Sequence, residues 1–368
     1  MATAEGSQQA RGPLTGLRVL EFASIGPGPY CAMLLSDLGA EVVRIEREGG
    51  NGWPNPVVDR GRAAIAINIR TESGKELCLA AADQADVVIE GFRPGVMERL
   101  GLGPQIMMGR NPRLIYGRMT GWGQDGPLAR AAGHDINFIA LTGALAAIGP
   151  AEGPAIPPLN LVGDLGGGAL FLAFGIVAAL WERERSGKGQ VIDAAIVDGV
   201  TSLMSMFSGL APSGFLSMNR GRNVLGGAAP YYRCYTCADG KDIAVGPLEP
   251  RFYKEFLDRI GAPPLLYEDQ NNQSNWAERT ALLVDLFATR DRAAWTELLQ
   301  GTDACFAPVL ELNEVASHPH MHARGSYVAV DGVQQPAPAP RFSRTPGSIQ
   351  PAASGREIID RWCSGARC

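Results

Sequence analysis

The chain has 368 residues, 46% hydrophobic and 19% charged, with a formal net charge of −5. At roughly 150 residues per domain that length predicts two domains, and the acidic balance argues against a nucleic-acid-binding surface. No charge-free apolar run reaches about 18 residues, so no membrane span is expected, and the opening MATAEGSQQARGP lacks the apolar stretch of a secretory signal, so the expected location is cytoplasmic.

In chain order, LRVLEFA (17–23) reads as a buried strand, SIGPGPY as a tight loop, CAMLLSDLG as a helix ending at Gly39, and EVVRIE (41–46) as the next strand. AAIAINI (63–69), TESGKELCLAAADQA and DVVIEGF (86–92) repeat the pattern, and RLIYGRM (113–119) adds another strand. The first half therefore predicts a Rossmann-like, doubly wound α/β domain with a parallel sheet. A proline-rich loop (146–160) leads into LVGDLGGGALFLAFGIVAALWERERSGKG, a glycine cluster opening a long apolar helix closed by Arg183, Arg185 and Gly187; QVIDAAIV adds a strand. A glycine-rich stretch, 212–232, reads as linker. A smaller α+β unit follows, with a hairpin through Asp239-Gly240, a helix from Glu249 to about Ile260 and helices near 276–300; an irregular stretch then leads to a terminal helix. The expected division is a large domain of 1–200 and 335–368, a linker 201–232, a small domain 233–318 and a return linker 319–334.

Some motifs are weak. The loop after the first strand lacks the third glycine of a dinucleotide fingerprint and puts prolines where a phosphate wants free N–H groups. The seven cysteines, with no signal peptide, fit a reducing compartment, and the lone CxxC of Cys234 and Cys237 reads as structural thiols. His318, His320 and His322 have only Glu314 nearby to complete a ligand set, so no metal is expected.

The remaining histidine is placed differently. In AAGHDINFIA, the apolar spacing after Asp135 is helical, which puts His134 and Asp135 at a helix N-terminus. Backbone N–H groups there are unpaired, and the local potential favours anions and a neutral imidazole. A plain cap by Asp135 with an incidental histidine is the alternative. Asp164 before three glycines and Glu249 before Pro250 also sit at helix starts, and each alone reads as an N-cap. Together the three offer a base, an acid and an orienter.

These residues fall within long motifs: LRVLEFASIGPGPYCAMLLSDLGAEVVRIER, IEGFRPGVMERLGLGP, LIYGRMTGWGQDGP, AGHDIN, PPLNLVGD, SGKGQVIDAAIVDG, NVLGGAAPYY, VGPLEPRFY, TDACFAPVL and APRFSRTP. From about Gly12 to about Thr345 the chain resembles the α-methylacyl-CoA racemases of the family III CoA-transferase superfamily. The resemblance implies an isomerase of lipid metabolism that interconverts (R)- and (S)-2-methylacyl-CoA thioesters through an enolate. It needs no cofactor beyond the coenzyme A of its own substrate, and it works as an interlocked homodimer. His134 would serve one face of the α-carbon and Asp164 the other. Glu249, from the partner subunit, would orient His134, and the Asp135 N–H would bind the enolate oxygen, with Asn160 beside Asp164. Ile25, Gly26, Arg47, Ile67, Arg70, Arg93, Gly133, Phe138 and Tyr231 would hold CoA and substrate, and Met204, Met206 and Met218 match an acyl-binding surface. The sequence departs from the family at Gly226, where an aspartate is usual, at Phe138 for tyrosine, and at Asn68 for aspartate, which bears on CoA contacts and acyl preference. The alternative is a CoA-transferase using Asp164 as nucleophile, against which His134 stands.

Overall fold

The computed structural model describes residues 12–50, 54–214, 216–351 and 353–364; Cys368 and most of the N-terminal tail lie outside them. The apolar runs form β1 (Arg18–Phe22), β2 (Glu41–Glu46), β3 (Arg62–Ala66), β4 (Val87–Glu90), β5 (Ile115–Thr120) and β6 (Val191–Ala195). β1 and β4 are buried at every position, as strands covered on both faces must be. All pairings are parallel, in the order β3-β2-β1-β4-β5-β6. This is the doubly wound arrangement, and its strand order reverses between β1 and β4. Crevices in such sheets open at the carboxyl ends of the strands, at that switch point.

Helices cover both faces. α1 (Pro27–Asp37) begins inside the expected GPGP loop: Pro27 occupies the first helical position, where a missing N–H costs nothing. Gly26 before it has φ +71°, which a side chain disfavours. α2 (Glu72–Gln84) starts at Thr71, whose side chain accepts from the Gly74 N–H. The short α3 (Val96–Arg99) and α4 (Pro104–Arg110) follow β4, and α5 (Asp135–Ala140) starts where the histidine motif predicts. Residues Leu161–Leu170 wind as a wide π-helix, with Leu165 N–H bonding Asn160 O at 3.1 Å, and run straight into α6 (Phe171–Ser186). Asp164 thus lies within the helix rather than before it, because the wider winding starts earlier, at Leu161. Leu161–Ser186 is long and apolar enough, by length and composition, to cross a membrane; counting charge-free runs passes over it because Asp164 interrupts the run. Leu172 and Ile176 of this rod are fully buried in the protein. α7 (Ile196–Leu203) packs against the π-helix.

Of the described residues, one compact unit comprises those up to Thr142, Leu159–Leu203 and those from Gly325 on; the other comprises Gly143–Pro158 and those of Met204–Arg324. The second unit contains α8 (Ser205–Leu210) and a three-stranded antiparallel sheet of β7 (Arg233–Thr236), β8 (Asp242–Val245) and β9 (Phe306–Pro308). α9 (Pro250–Ile260), α10 (Trp276–Phe287) and α11 (Arg292–Leu299) complete an aromatic core through Tyr253, Phe256, Phe287 and Trp295, and the short α12 (Leu312–Val315) and α13 (Pro319–Ala323) end this unit. The hairpin of β10 (Tyr327–Val330) and β11 (Val333–Pro336) and the terminal α14 (Gly355–Cys363) belong to the sheet unit, where Ile359 and Trp362 are fully buried. This division differs from the expected one. The proline-rich loop joins the second unit, where the Arg220 guanidinium donates to Gly153 O at 3.0 Å, and the expected return linker holds a strand pair of the first.

Charges inside the sheet unit are paired. Glu21 of β1 is fully buried and takes two bonds from Arg62 at 2.5 and 2.6 Å; Arg62 also meets Asp59 at 2.7 Å. Glu90, at the end of β4, accepts from Arg118 Nε at 3.0 Å and from the Phe92 N–H at 2.7 Å. Burial pushes its carboxyl up to about 7, against the opposing pull of Phe92 and Arg118. The folded chain therefore keeps a proton on Glu90 that the unfolded chain has lost above its ordinary value of 4.5. This contribution to stability is full below that value and is lost as pH rises through about 7. Glu90→Gln, fixed in the neutral form, is expected to lose less in thermal midpoint between about pH 5 and about pH 8 than the native chain does; equal losses would place the pH dependence elsewhere.

Candidate active site

Every loop leaving the carboxyl end of a sheet strand contributes to one of two cavities. The first, about 430 Å3, is lined by Ser24 and Ile25 after β1, Phe92 and Arg93 after β4, Trp122 after β5, and Gly133, His134 and Phe138. The second, about 700 Å3, is lined by Arg47 after β2, by Ile67, Asn68 and Arg70 after β3, and again by Ser24, Ile25 and Phe92. The two therefore meet at the topological switch point, across the loops that follow β1 and β4.

His134 is the N-cap of α5, and its ring is exposed to the first cavity. Its backbone N–H donates to the Asn137 side chain at 3.0 Å, which fixes the chain's entry into the helix. Asp135 is the first helical residue, so its N–H has no acceptor within the helix. Its carboxylate turns the other way, is buried, and accepts from the Asp164 N–H at 2.6 Å. This bond fastens the start of α5 to the π-helix that carries Asp164. The approach is close enough that a Cβ on Gly163 would sit 2.1 Å from Asp135 Oδ1. Burial raises the Asp135 carboxyl above its ordinary value, opposed by the N–H groups of Asp164 and Gly163.

The Asp164 carboxylate receives the Asn160 side chain at 3.3 Å and lies against Gly26, where a Cβ would meet its Oδ2 at 3.0 Å. Burial raises its pKa first and the neighbouring Asp135 charge adds to that; Asn160 and His134 oppose it. His134, Asp164, Asp135, Asn160, Gly26 and Ile25 thus form one cluster in the sheet unit. Arg47, Ile67 and Arg70 share the second cavity, while Arg93 lines the first. Phe138 is buried and packs edge-on against Trp122, with ring centroids 4.8 Å apart.

Glu249, Tyr231, Gly226 and the three methionines Met204, Met206 and Met218 lie in the other unit. Glu249 is the exposed N-cap of α9. Tyr231 is spent on the interior: it is 2% exposed, its ring meets Tyr253 and Trp276 edge-on, and its hydroxyl donates to Asn271 at 2.7 Å. It lines neither cavity described above, because its ring fills that aromatic core. Gly226 ends a short 3-10 turn. Glu314, the carboxylate nearest the three clustered histidines in sequence, is bound to Arg292 and Lys241, and His318 meets Gln300 at 3.2 Å.

A family model for CoA-transferase family III matches residues 14–354. The chain belongs to that family. It is similar to the alpha-methylacyl-CoA racemase of Mus musculus, at 44% identity over 90% of this chain and 87% of the relative, and to that of Homo sapiens, at 41% over the same shares. A CAIB/BAIF family protein from Brucella suis superposes with a TM-score of 0.80 at 28% identity, covering 96% of this chain and all of the other. In this family III chain the sequence reading misses the Asp135 carboxylate, the glycine requirement at 163, and Phe92 and Trp122 as cavity walls. Only the three-dimensional neighbourhood shows these; a bare glycine 28 residues past Asp135 carries no local signal.

Gly163→Ala is expected to destabilise the sheet unit by roughly 1–3 kcal/mol, because neither the Asp135 oxygen nor the backbone behind it can retreat. Gly109→Ala in α4, which meets nothing within 4 Å, should be neutral or slightly stabilising in the same denaturant titration.

Proposed function

We propose that the chain is an isomerase that racemises 2-methylacyl-CoA thioesters by removing and returning the α-proton. The observation that carries this is the pairing of an exposed histidine at the cap of one helix with a raised-pKa aspartate in the first turn of another, the two tied together by the Asp135–Asp164 bond. An α-proton beside a thioester is weakly acidic, so its removal needs both a base and a donor for the enolate oxygen. Neutral His134 takes the proton from one face, and its ring becomes imidazolium. The negative charge moves to the thioester oxygen, which the Asp135 N–H receives. Protonated Asp164 then delivers its proton to the opposite face of the α-carbon and is left as carboxylate. In the reverse direction the two exchange roles. A carboxyl held above its ordinary range suits a group that must donate as well as accept.

The CoA portion is assigned to the cavity lined by Arg47, Ile67 and Arg70, where the two arginine guanidinium groups suit phosphates. Arg93 and Phe138 border the acyl end. As proposed, these proton transfers need no metal or redox group. A homodimer, with the partner subunit's Glu249 orienting His134, is part of this reading. Leu170, Phe174, Val177 and Trp181 support it: they are 51%, 74%, 45% and 69% exposed and form one apolar stripe along the Leu161–Ser186 rod, the kind of face that a second copy covers. Tyr231 is left out, since its hydroxyl is already engaged.

The test is incubation of one enantiomer of a 2-methylacyl-CoA with the protein in D2O. Loss of optical purity with deuterium entering at Cα is the expected result, and His134→Ala should lower the rate at least roughly 100-fold. Transfer of CoA to a second acid without exchange at Cα would contradict the proposal and favour Asp164 as a nucleophile.

A further inference from the structure

The two cavities share a small set of walls, and only one of these carries a side-chain polar group. Ser24 lines both, with Ile25 and Phe92, directly after β1 at the switch point. Its position is tightly defined. Its Oγ lies 2.7 Å from where a Cβ on Gly28 would be and 2.9 Å from where one on Gly91 would be, so bare backbone on two sides cradles the hydroxyl. Gly91 precedes Phe92, whose N–H the buried Glu90 holds at 2.7 Å, so the β4 side of the cradle is itself anchored. The Ser24 side chain is half-buried and makes no hydrogen bond to another described residue. It does not cap α1, whose N-cap is Gly26 with no side-chain bond. A half-buried hydroxyl on the wall that both cavities share, without a protein partner among the described residues, is placed for a ligand atom.

We propose that Ser24 is a positioning residue that hydrogen-bonds the substrate's pantetheine arm at the amide nearest the thioester sulfur. The inference rests on the racemase reading above. If CoA occupies the cavity of Arg47 and the α-carbon lies beside His134, the connecting atoms must pass the wall that Ser24, Ile25 and Phe92 share. Those atoms are the thioester sulfur, two methylenes and an amide. Ile25 and Phe92 suit the methylenes, and the amide is the first group along the arm that can both donate to and accept from a hydroxyl. The bond fixes how far the arm is drawn through the passage. It thereby sets the distance of the α-carbon from His134 and Asp164, to which proton transfer is sensitive.

The experiment compares two short substrates in D2O: the 2-methylacyl thioester of N-acetylcysteamine, which carries that amide, and a 2-methylacyl S-alkyl thioester of equal length, which does not. Deuterium incorporation at Cα is followed for the native protein and for Ser24→Ala. The expected result is a fall in kcat/KM of roughly 5- to 10-fold for the amide substrate and no change for the S-alkyl one, with an unchanged thermal midpoint. An equal fall for both would show that the hydroxyl acts at the thioester or on the fold, and no fall for either would show that it touches nothing; each overturns the proposal. If the native protein exchanges no deuterium into the full CoA thioester, it is the racemase reading that fails, and this inference falls with it.

Discussion

The hydrogen bond from the Asp164 N–H to the Asp135 carboxylate holds the site together. It spans 2.6 Å between residues 29 apart in sequence and pins together the first turns of two helices that also pack on each other and on α7. α5 is only six residues long and the helix of Asp164 is wound wide, so neither is rigid through its own backbone alone. The carboxylate is buried and accepts from a backbone donor, an arrangement that tolerates little displacement. Once it is made, His134 and Asp164 are fixed relative to one another by a single side chain and one turn of backbone on either side.

The sheet supplies the other half of the geometry. Strand order reverses between β1 and β4, so their loops diverge and leave room for a ligand there. Glu90 ties the β4 loop to Arg118 on β5, and Glu21 ties β1 to Arg62 on β3. Both carboxylates are buried at the sheet's centre, where a neighbouring cation must offset the cost of desolvation. Glu90 also accepts from the N–H of Phe92, a wall of both cavities, so one of these buried carboxylates anchors the site as well as the sheet. The second unit is organised differently, around stacked aromatic rings and a small antiparallel sheet.

Much of this is legible in the sequence, for identifiable reasons. β1, β2 and β4 read correctly because strands covered on both faces are short apolar runs bounded by turn residues, and His134 reads as a helix start because helical spacing begins directly after it. The errors share a cause: side-chain direction and backbone winding depend on distant neighbours. Asp164 looks like an N-cap because three glycines follow it, yet packing against α7 and α5 draws the helix start back to Leu161. Asp135 looks like a cap for its own helix and instead serves the next one. Tyr231 resembles a substrate contact by motif and is used as a core aromatic. The loop that begins at Ser24 looks like a failed phosphate fingerprint, because its prolines are read as obstacles rather than as the first turn of α1.

The account makes His134 and Asp164 act on opposite faces of one carbon, and the most direct measurement of that is stereochemical. Each enantiomer of a 2-methylacyl-CoA is incubated separately in D2O with His134→Ala and with Asp164→Ala, and both deuterium content and optical purity are followed. The account predicts that each variant loses racemisation yet still exchanges the α-proton of one enantiomer with retention, and that the two variants exchange opposite enantiomers. Exchange of the same enantiomer by both, or undiminished racemisation by either, would contradict it.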